Sequence, residues 1–238
     1  MSVQDEYYLE KEGDDFFTRN FEGKEVDGLR DNKKTILDFI KNSKISFNSV
    51  IEFGCNYGDL LDFYSRDKSI RAVGIEASSK AVKYGKERYS NGIELHHGTI
   101  GDNYISNNPD NEGAFDLAII DDVLSWVSRG TILHSLSNID KAIKEGGYIF
   151  IRDFKPNKLT KNRNHHIDDS DVFNFKVVGG HYQILVSTGM YEVVSENVYY
   201  DKTIMSAGYK CDNPFNYRWS DVILQKKSID YFDEVIKL

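Results

Sequence analysis

Gly54, Gly58 and Glu76 are the residues whose types and spacing can do the most chemistry in this chain. They lie in Val50-Ile51-Glu52-Phe53-Gly54-Cys55-Asn56-Tyr57-Gly58 and in Gly74-Ile75-Glu76-Ala77-Ser78. The order is an apolar strand, a glycine turn, a helix, a second apolar strand and an acid. The acid follows the loop by the roughly 20 residues of a nucleotide-binding βαβ unit. Glycines let the backbone turn tightly and approach a ligand that a Cβ would obstruct. A carboxylate closing the second strand can accept hydrogen bonds from both hydroxyls of a ribose. The chemistry expected of this set is capture of an adenosine-containing cofactor.

Regular elements must hold these residues in place. Ile36, Leu37, Phe39 and Ile40 give Asn32 to Asn42 a helical period. Strands are expected at Val50–Phe53, Arg71–Ile75, Ile93–His96, Phe115–Ile120 and Tyr148–Ile151. Helices are expected at Asp59–Ser65, at Ser79–Tyr89 with Ser78 as N-cap, and at Thr131–Lys144 with Gly146-Gly147 as its stop. Asn103 to Gly113 reads as a loop. Beyond the fifth strand, Asp153 to Gly180 breaks the rhythm and reads as a polar insertion over the cleft. A short helix at Tyr182–Ser187 and strands at Tyr191–Tyr200 and Asp221–Leu224 complete the chain. Strands alternating with helices predict an α/β fold: a parallel sheet with helices on both faces and ligands beyond the carboxyl ends of the strands. Residues 1–31 read as an N-terminal arm docked by its aromatics, and 32–238 as one domain carrying the insertion at about 153–180.

The ordered motifs resemble those of class I S-adenosylmethionine-dependent methyltransferases. Glu52 to Gly58 resembles their first motif and Gly74 to Ser78 their second. Phe115 to Leu124 resembles the fourth strand and the helix after it. Ile143-Lys144-Glu145-Gly146-Gly147-Tyr148 resembles their turn before strand five, with Glu145 where proline is usual. The resemblance covers roughly residues 48–155. It implies a Rossmann-like seven-stranded, mostly parallel sheet of order 3-2-1-4-5-7-6, strand seven antiparallel. It also implies S-adenosylmethionine as cofactor and S-adenosylhomocysteine as product.

By the same resemblance Glu52, Gly54, Cys55, Asn56 and Gly58 cradle the amino-acid end of the cofactor. Glu76 and Ala77 lie at the ribose, Thr99 and Ile100 flank adenine, and Asp121 and Val123 lie near the methionine portion. Arg19 is a candidate partner for the methionine carboxylate, since Arg grips a carboxylate with two parallel bonds. A hydroxyl acceptor also needs a base, and histidine suits that role near neutral pH. His165 or His166, in the polar insertion, is the expected base, with Asp153 beside it. Arg152, Lys155 and Arg163 are expected to grip a phosphate or carboxylate on the acceptor. His181 and Tyr182 are expected as a further wall.

Composition excludes several classes. Of 238 residues, 40% are apolar and 29% charged, an ordinary globular balance, and the formal charge of −8 speaks against a nucleic-acid partner. The only cysteines, Cys55 and Cys211, define neither a disulfide framework nor a zinc site. Asp121, Asp122 and Asp153 invite a Mg²⁺ reading, but Phe154 stands where an Asn is expected, so no metal is predicted. The start of the chain has no basic region leading into an apolar one, so a cytoplasmic protein without membrane association is expected. The expected activity is O-methylation of a small polar acceptor: a sugar, nucleotide sugar or phosphorylated surface-polysaccharide precursor, in a bacterium. The enzyme would be a monomer or homodimer. The alternatives are N-methylation of a small amine and a non-catalytic S-adenosylmethionine-binding module. An NAD-linked oxidoreductase fits the glycine pattern less well.

Overall fold

The computed structural model describes residues 2–24, 28–67, 69–89, 92–102, 104–164, 167, 172–200, 217–228 and 230. Its centre is a seven-stranded sheet. In chain order the strands are β1 (Ser49–Phe53), β2 (Arg71–Glu76), β3 (Ile93–His97), β4 (Phe115–Asp121), β5 (Ile143–Phe154), β8 (Tyr191–Tyr200) and β9 (Arg218–Lys226), while β6 (Thr160–Arg163) and β7 (Phe173–Lys176) form a separate antiparallel pair. The spatial order is β3-β2-β1-β4-β5-β9-β8. The first five run parallel, and β9 is antiparallel to both β5 and β8. This is the order and direction of pairing that the family resemblance implies.

Every residue of β1 is buried, and β4 is buried from Leu117 to Ile120. That is the burial a parallel strand covered on both faces requires. On one face Val50, Leu117, Ile119 and Phe150 pack with α3 (Asp31–Asn42) and α4 (Asp59–Ser65). On the other, Ile51, Ile120 and Ile151 pack with α7 (Ile132–Ala142) and α8 (Tyr182–Ser187). Strand order reverses between β1 and β4, so a crevice opens beyond their carboxyl ends.

Two local expectations change. The helix expected to stop at Gly146-Gly147 ends at Ala142, and β5 already begins at Ile143, paired with Phe115. The two glycines instead serve a ladder irregularity: pairing resumes at Leu117 with Tyr148, and Gly146 adopts φ +73°. The loop expected at 103–113 contains α6 (Tyr104–Asn107), which buries Ile105, and a 3₁₀ turn opened by Pro109. The N-terminal arm is helical: α1 (Val3–Tyr7), a π-helical turn (Tyr8–Glu12) and α2 (Gly13–Asn20).

Both ends of this arm are tied down. The Gln4 side chain donates to the carbonyls of Trp126 and Phe173 and accepts the Phe173 N–H (3.1 Å). The Asp14 carboxylate accepts from Ser78 Oγ (2.8 Å), Ser79 Oγ (2.9 Å) and the Lys80 N–H (2.9 Å), at the start of α5 (Ser79–Arg88). A Cβ on Gly13 would lie 2.9 Å from the backbone of Ala77 and Ser78. The arm therefore bridges the crevice from β7 to α5.

The opposite wall is α3. Its Lys33, Ile36 and Ile40 share one buried face. Lys33 Nζ lies 2.7 Å from Glu52 Oε1 on β1 and 3.0 Å from Asp121 Oδ2 on β4. Arg152 on β5 grips Asp221 on β9 through Nε (2.7 Å) and Nη2 (2.8 Å), and reaches the Asn32 carbonyl and Thr35 Oγ1 of α3, each at 3.0 Å. Burial works against the Lys33 ammonium, but Asp121 and Glu52 hold it above its ordinary value. Burial pushes the Glu52 carboxyl up to about 7, with Lys33 pulling it down.

Removing one partner of a buried pair strands the others. Lys33→Met is expected to cost about 3–5 kcal/mol of stability in urea unfolding at neutral pH. Adding Glu52→Gln should recover part of that loss. A single-variant cost within error of zero would show that the ammonium does not hold these strand ends.

Candidate cofactor and acceptor site

The glycine loop leaves β1 through three positive-φ residues: Gly54 (+76°), Asn56 (+54°) and Gly58 (+84°). The Gly54 N–H donates to the Ile75 carbonyl at 2.8 Å, which fastens the loop to β2. A Cβ on Gly54 would lie 2.3 Å from Val123 Cγ2, so glycine lets β1 and the segment after β4 pack closely at the cleft wall. At Gly58 the conflict is with Ile93 Cδ1 (2.8 Å), a matter of packing α4 against β3. Asn56 tolerates its left-handed backbone because its own Oδ1 accepts the Tyr57 N–H (2.9 Å).

Glu76 closes the loop from the other side. Its Oε2 accepts the Asn56 N–H (2.7 Å) and its Oε1 accepts the Ser78 N–H (2.8 Å). Burial raises this carboxyl above its usual range, while these N–H groups pull it back down. A carboxylate oxygen has more than one acceptor direction, so each can also take a hydroxyl. Next to it, Gly98, Thr99 and Ile100 line the cleft. The Thr99 N–H donates to Asp102 (2.5 Å), and Asn138 on α7 donates to the carbonyls of Ile100 (3.0 Å) and Asp102 (2.9 Å). Buried Thr99 Oγ1, Ser135 Oγ and Asn138 Oδ1 have no partner among the described residues. The site fits an adenosine ligand through the Glu76 carboxylate, which keeps spare acceptor capacity on the cleft wall between Gly54 and Thr99.

The same cleft, of about 900 Å³, continues past β4. Asp121 is held by Lys33, and Asp122 follows at φ +55°. Among the described residues the Asp122 carboxyl has one side-chain hydrogen bond, a long one from Ser125 Oγ (3.4 Å). Burial, then Asp153 and Asp121, push it well above the usual carboxylate range. Further out, the lining comprises Arg152, Asn197, Tyr199, Tyr200, Trp219 and Asp221. Tyr199 donates its hydroxyl to Asp221 (3.0 Å), and Trp219 stacks on Phe154 with ring centroids 4.0 Å apart. Tyr8, Glu12 and Phe16 of the arm line the cleft together with Trp126.

Of the residues singled out from sequence, Gly54, Asn56, Glu76, Ala77, Thr99, Ile100, Asp121, Val123 and Arg152 line this one cleft. Others sit elsewhere. Glu52 and the Cys55 thiol are buried, Glu52 against Lys33. Arg19 is paired with Glu12 at 2.6 Å, and of the two only Glu12 faces the cleft. Asp153 lies on the opposite face of β5 from Arg152 and takes the His181 Nδ1 contact at 2.9 Å; neither lines the cleft. Lys155 is bound to Tyr182 Oη (2.6 Å) and to Glu196, away from the cleft, and Arg163 is exposed on β6. His165 and His166 lie outside the described residues. Among the described residues, no group of three or more His, Cys, Asp or Glu side chains is placed to hold a metal ion. No helix among them is long and apolar enough to cross a membrane.

The cleft also holds residues absent from the sequence-based set: Lys33, Arg30, Tyr8, Trp126, Tyr199 and Trp219. Lys33 had a signal, because it is in phase with Ile36 and Ile40. Arg30 is bound to both oxygens of Asp59 (2.6 and 2.8 Å), with its guanidinium carbon 5.0 Å from the ring centres of both Phe21 and Tyr57. The aromatics reach the cleft through tertiary packing alone.

Comparisons with known proteins agree with this geometry. The sequence pattern of the methyltransferase-domain family matches residues 4–196. No curated protein sequence matches the chain. Among solved structures, a provisionally assigned sarcosine dimethylglycine methyltransferase from Galdieria sulphuraria is 12% identical, with TM-score 0.63, over 91% of this chain and 98% of that one. The 1,6-didemethyltoxoflavin-N1-methyltransferase of Burkholderia thailandensis, solved with S-adenosylhomocysteine, is 13% identical, with TM-score 0.62, over 96% of this chain and 92% of that one. The [4+2]-cyclase SpnF is 12% identical, with TM-score 0.60, over 94% of this chain and 96% of that one, so likeness at this level carries the fold and not the reaction. The family match spans most of the chain and includes the glycine loop, Glu76 and the β4 acids: the chain belongs to the methyltransferase-domain family, as a class I S-adenosylmethionine-dependent methyltransferase.

Proposed function

We propose that the enzyme methylates a small polar acceptor held beyond the carboxyl ends of β4 and β5. The observation that carries this reading is the continuity of the cleft. One cavity contains the glycine loop with Glu76 at one end and Arg152, Asn197, Tyr199, Trp219 and Asp221 at the other, with Asp121 to Val123 between them. S-adenosylmethionine supplies an activated methyl group when bound. The protein's work is then alignment, exclusion of water and removal of a proton.

In this reading Glu76 receives the ribose hydroxyls, and Thr99 and Ile100 flank adenine. The loop from Gly54 to Gly58 faces the amino-acid end. Lys33 serves there by fixing Asp121, while Arg30 and Arg19 are engaged by Asp59 and Glu12. Tyr8, Glu12 and Phe16 roof the cleft and keep water from the reacting atoms.

O-methylation of a sugar hydroxyl, with His165 or His166 as base, stays open as one form of the reaction. Its base belongs to the segment outside the described residues. A phosphorylated acceptor has less support. Lys155 and Arg163 do not line the cleft, and Arg152 and Lys33 are already engaged by carboxylates. The resemblance suggests a bacterial surface-polysaccharide pathway for this reaction.

Two measurements test the cofactor half. Glu76→Gln should weaken S-adenosylhomocysteine binding in calorimetry by roughly tenfold or more, since a hydrogen bond to a charged group contributes about 1.5–3 kcal/mol. NAD should not bind to the wild type. Tight binding that survives Glu76→Gln would remove the ribose role. Gly54→Ala should abolish detectable binding, because the added methyl meets Val123 at a left-handed position. If the double variant Gly54→Ala/Val123→Ala regains part of the affinity, the clash is the cause; equal loss in both would assign it to backbone strain.

A further inference from the structure

The cations of the cleft are spoken for. Arg30, Lys33 and Arg152 are the basic side chains lining it among the described residues. Arg30 is bound to Asp59, Lys33 to Glu52 and Asp121, and Arg152 to Asp221. None of the three is left to meet an anion. The acids are not balanced in the same way. Lys33 serves two carboxylates, and Asp122 has no cation within ion-pair distance among the described residues. The charged groups facing Asp122 are Asp153 and Asp121, which oppose its ionisation, and Lys176, which favours it. Lys176 does not line the cleft; its ammonium lies 3.3 Å from the centre of the Phe154 ring.

Aromatic rings stand beside this acid. Asp122 is bound to Ser125, the chain neighbour of Trp126, and the Tyr8 ring lies 6.3 Å from that of Trp126. Tyr8, Trp126 and Asp122 all line the same cleft, and Tyr199, Tyr200 and Trp219 line its outer part. A carboxylate among electron-rich ring faces attracts a cation twice, by charge and by the ring quadrupole. The left-handed backbone of Asp122 is a further mark of function, since an Asp held there carries conformational cost.

We propose that the acceptor is a small amine, received as its ammonium by Asp122 between the Tyr8 and Trp126 rings. This rests on the methyltransferase reading above and narrows its acceptor. The ammonium passes one proton to the Asp122 carboxylate, and the nitrogen recovers its lone pair. That nitrogen bonds the methyl carbon while the carbon–sulfur bond breaks, its electron pair going to sulfur. The product leaves as an N-methylammonium ion, and Asp122 returns its proton to water. The entering ammonium holds Asp122 ionised, and burial with two neighbouring acids then fits it to accept that proton.

The chain has two tryptophans, Trp126 and Trp219, and both line the cleft, so its tryptophan fluorescence reports on this region alone. The protein saturated with S-adenosylhomocysteine is titrated with tetramethylammonium, with neopentyl alcohol as the neutral match in shape, and with inorganic phosphate. Saturable quenching by the ammonium alone is expected. Asp122→Asn should weaken it by roughly tenfold or more while S-adenosylhomocysteine affinity stays at the wild-type value. The proposal is overturned if phosphate or the alcohol binds as well as the ammonium, if the ammonium does not bind, or if Asp122→Asn leaves its affinity unchanged. Failure of S-adenosylhomocysteine to bind the wild type is a different result: it removes the methyltransferase reading and the amine with it.

Discussion

Lys33 places one buried ammonium between carboxylates at the ends of two adjacent strands. Glu52 lies near the end of β1 and Asp121 ends β4, and these are the strands between which the sheet reverses its order. Parallel strands offer no side-chain contact across such a crevice by themselves. The cation converts like-charge repulsion at the strand ends into attraction, and its own helix becomes the wall of the cleft. Arg152 repeats the device one strand further out, holding Asp221 while reaching the first turn of α3. The glycine loop and the β4 acids keep their relative positions because α3 is fastened to three strands at once.

Distance along the chain decides how much of this could be read from it. The loop from Gly54 to Gly58 and the acid Glu76 were legible because they form a local unit, with a strand, turn and helix in succession. Ser78 was legible as an N-cap for the same reason, and its Oγ does accept the Ala81 N–H (3.0 Å). Gly146-Gly147 misled because glycine both stops helices and permits a bulge. Only pairing with the distant Phe115 decides between them.

The acceptor end was harder to read. Arg152, Asp153 and Lys155 look like one charged cluster in the sequence, but successive residues of a strand point to opposite faces. Arg152 therefore joins the cleft, whereas Asp153 turns to His181 on the far side. Tyr8 and Trp126 carry no local signal. Their ring contact spans more than a hundred residues, and no periodicity encodes that. The rule that separates the two groups is physical: backbone-shaped features can be read locally, and side-chain convergence cannot.

The bond between Gln4 and Phe173 has a consequence for biosynthesis. The first helix leaves the ribosome early, yet its docking partner is separated from it by 169 residues. The Gln4 end of the roof must wait until Phe173 has been translated, whereas its Asp14 end can dock once α5 is made. Closure of the cleft at that end therefore follows synthesis of the first five strands, although the helix that closes it is made before them.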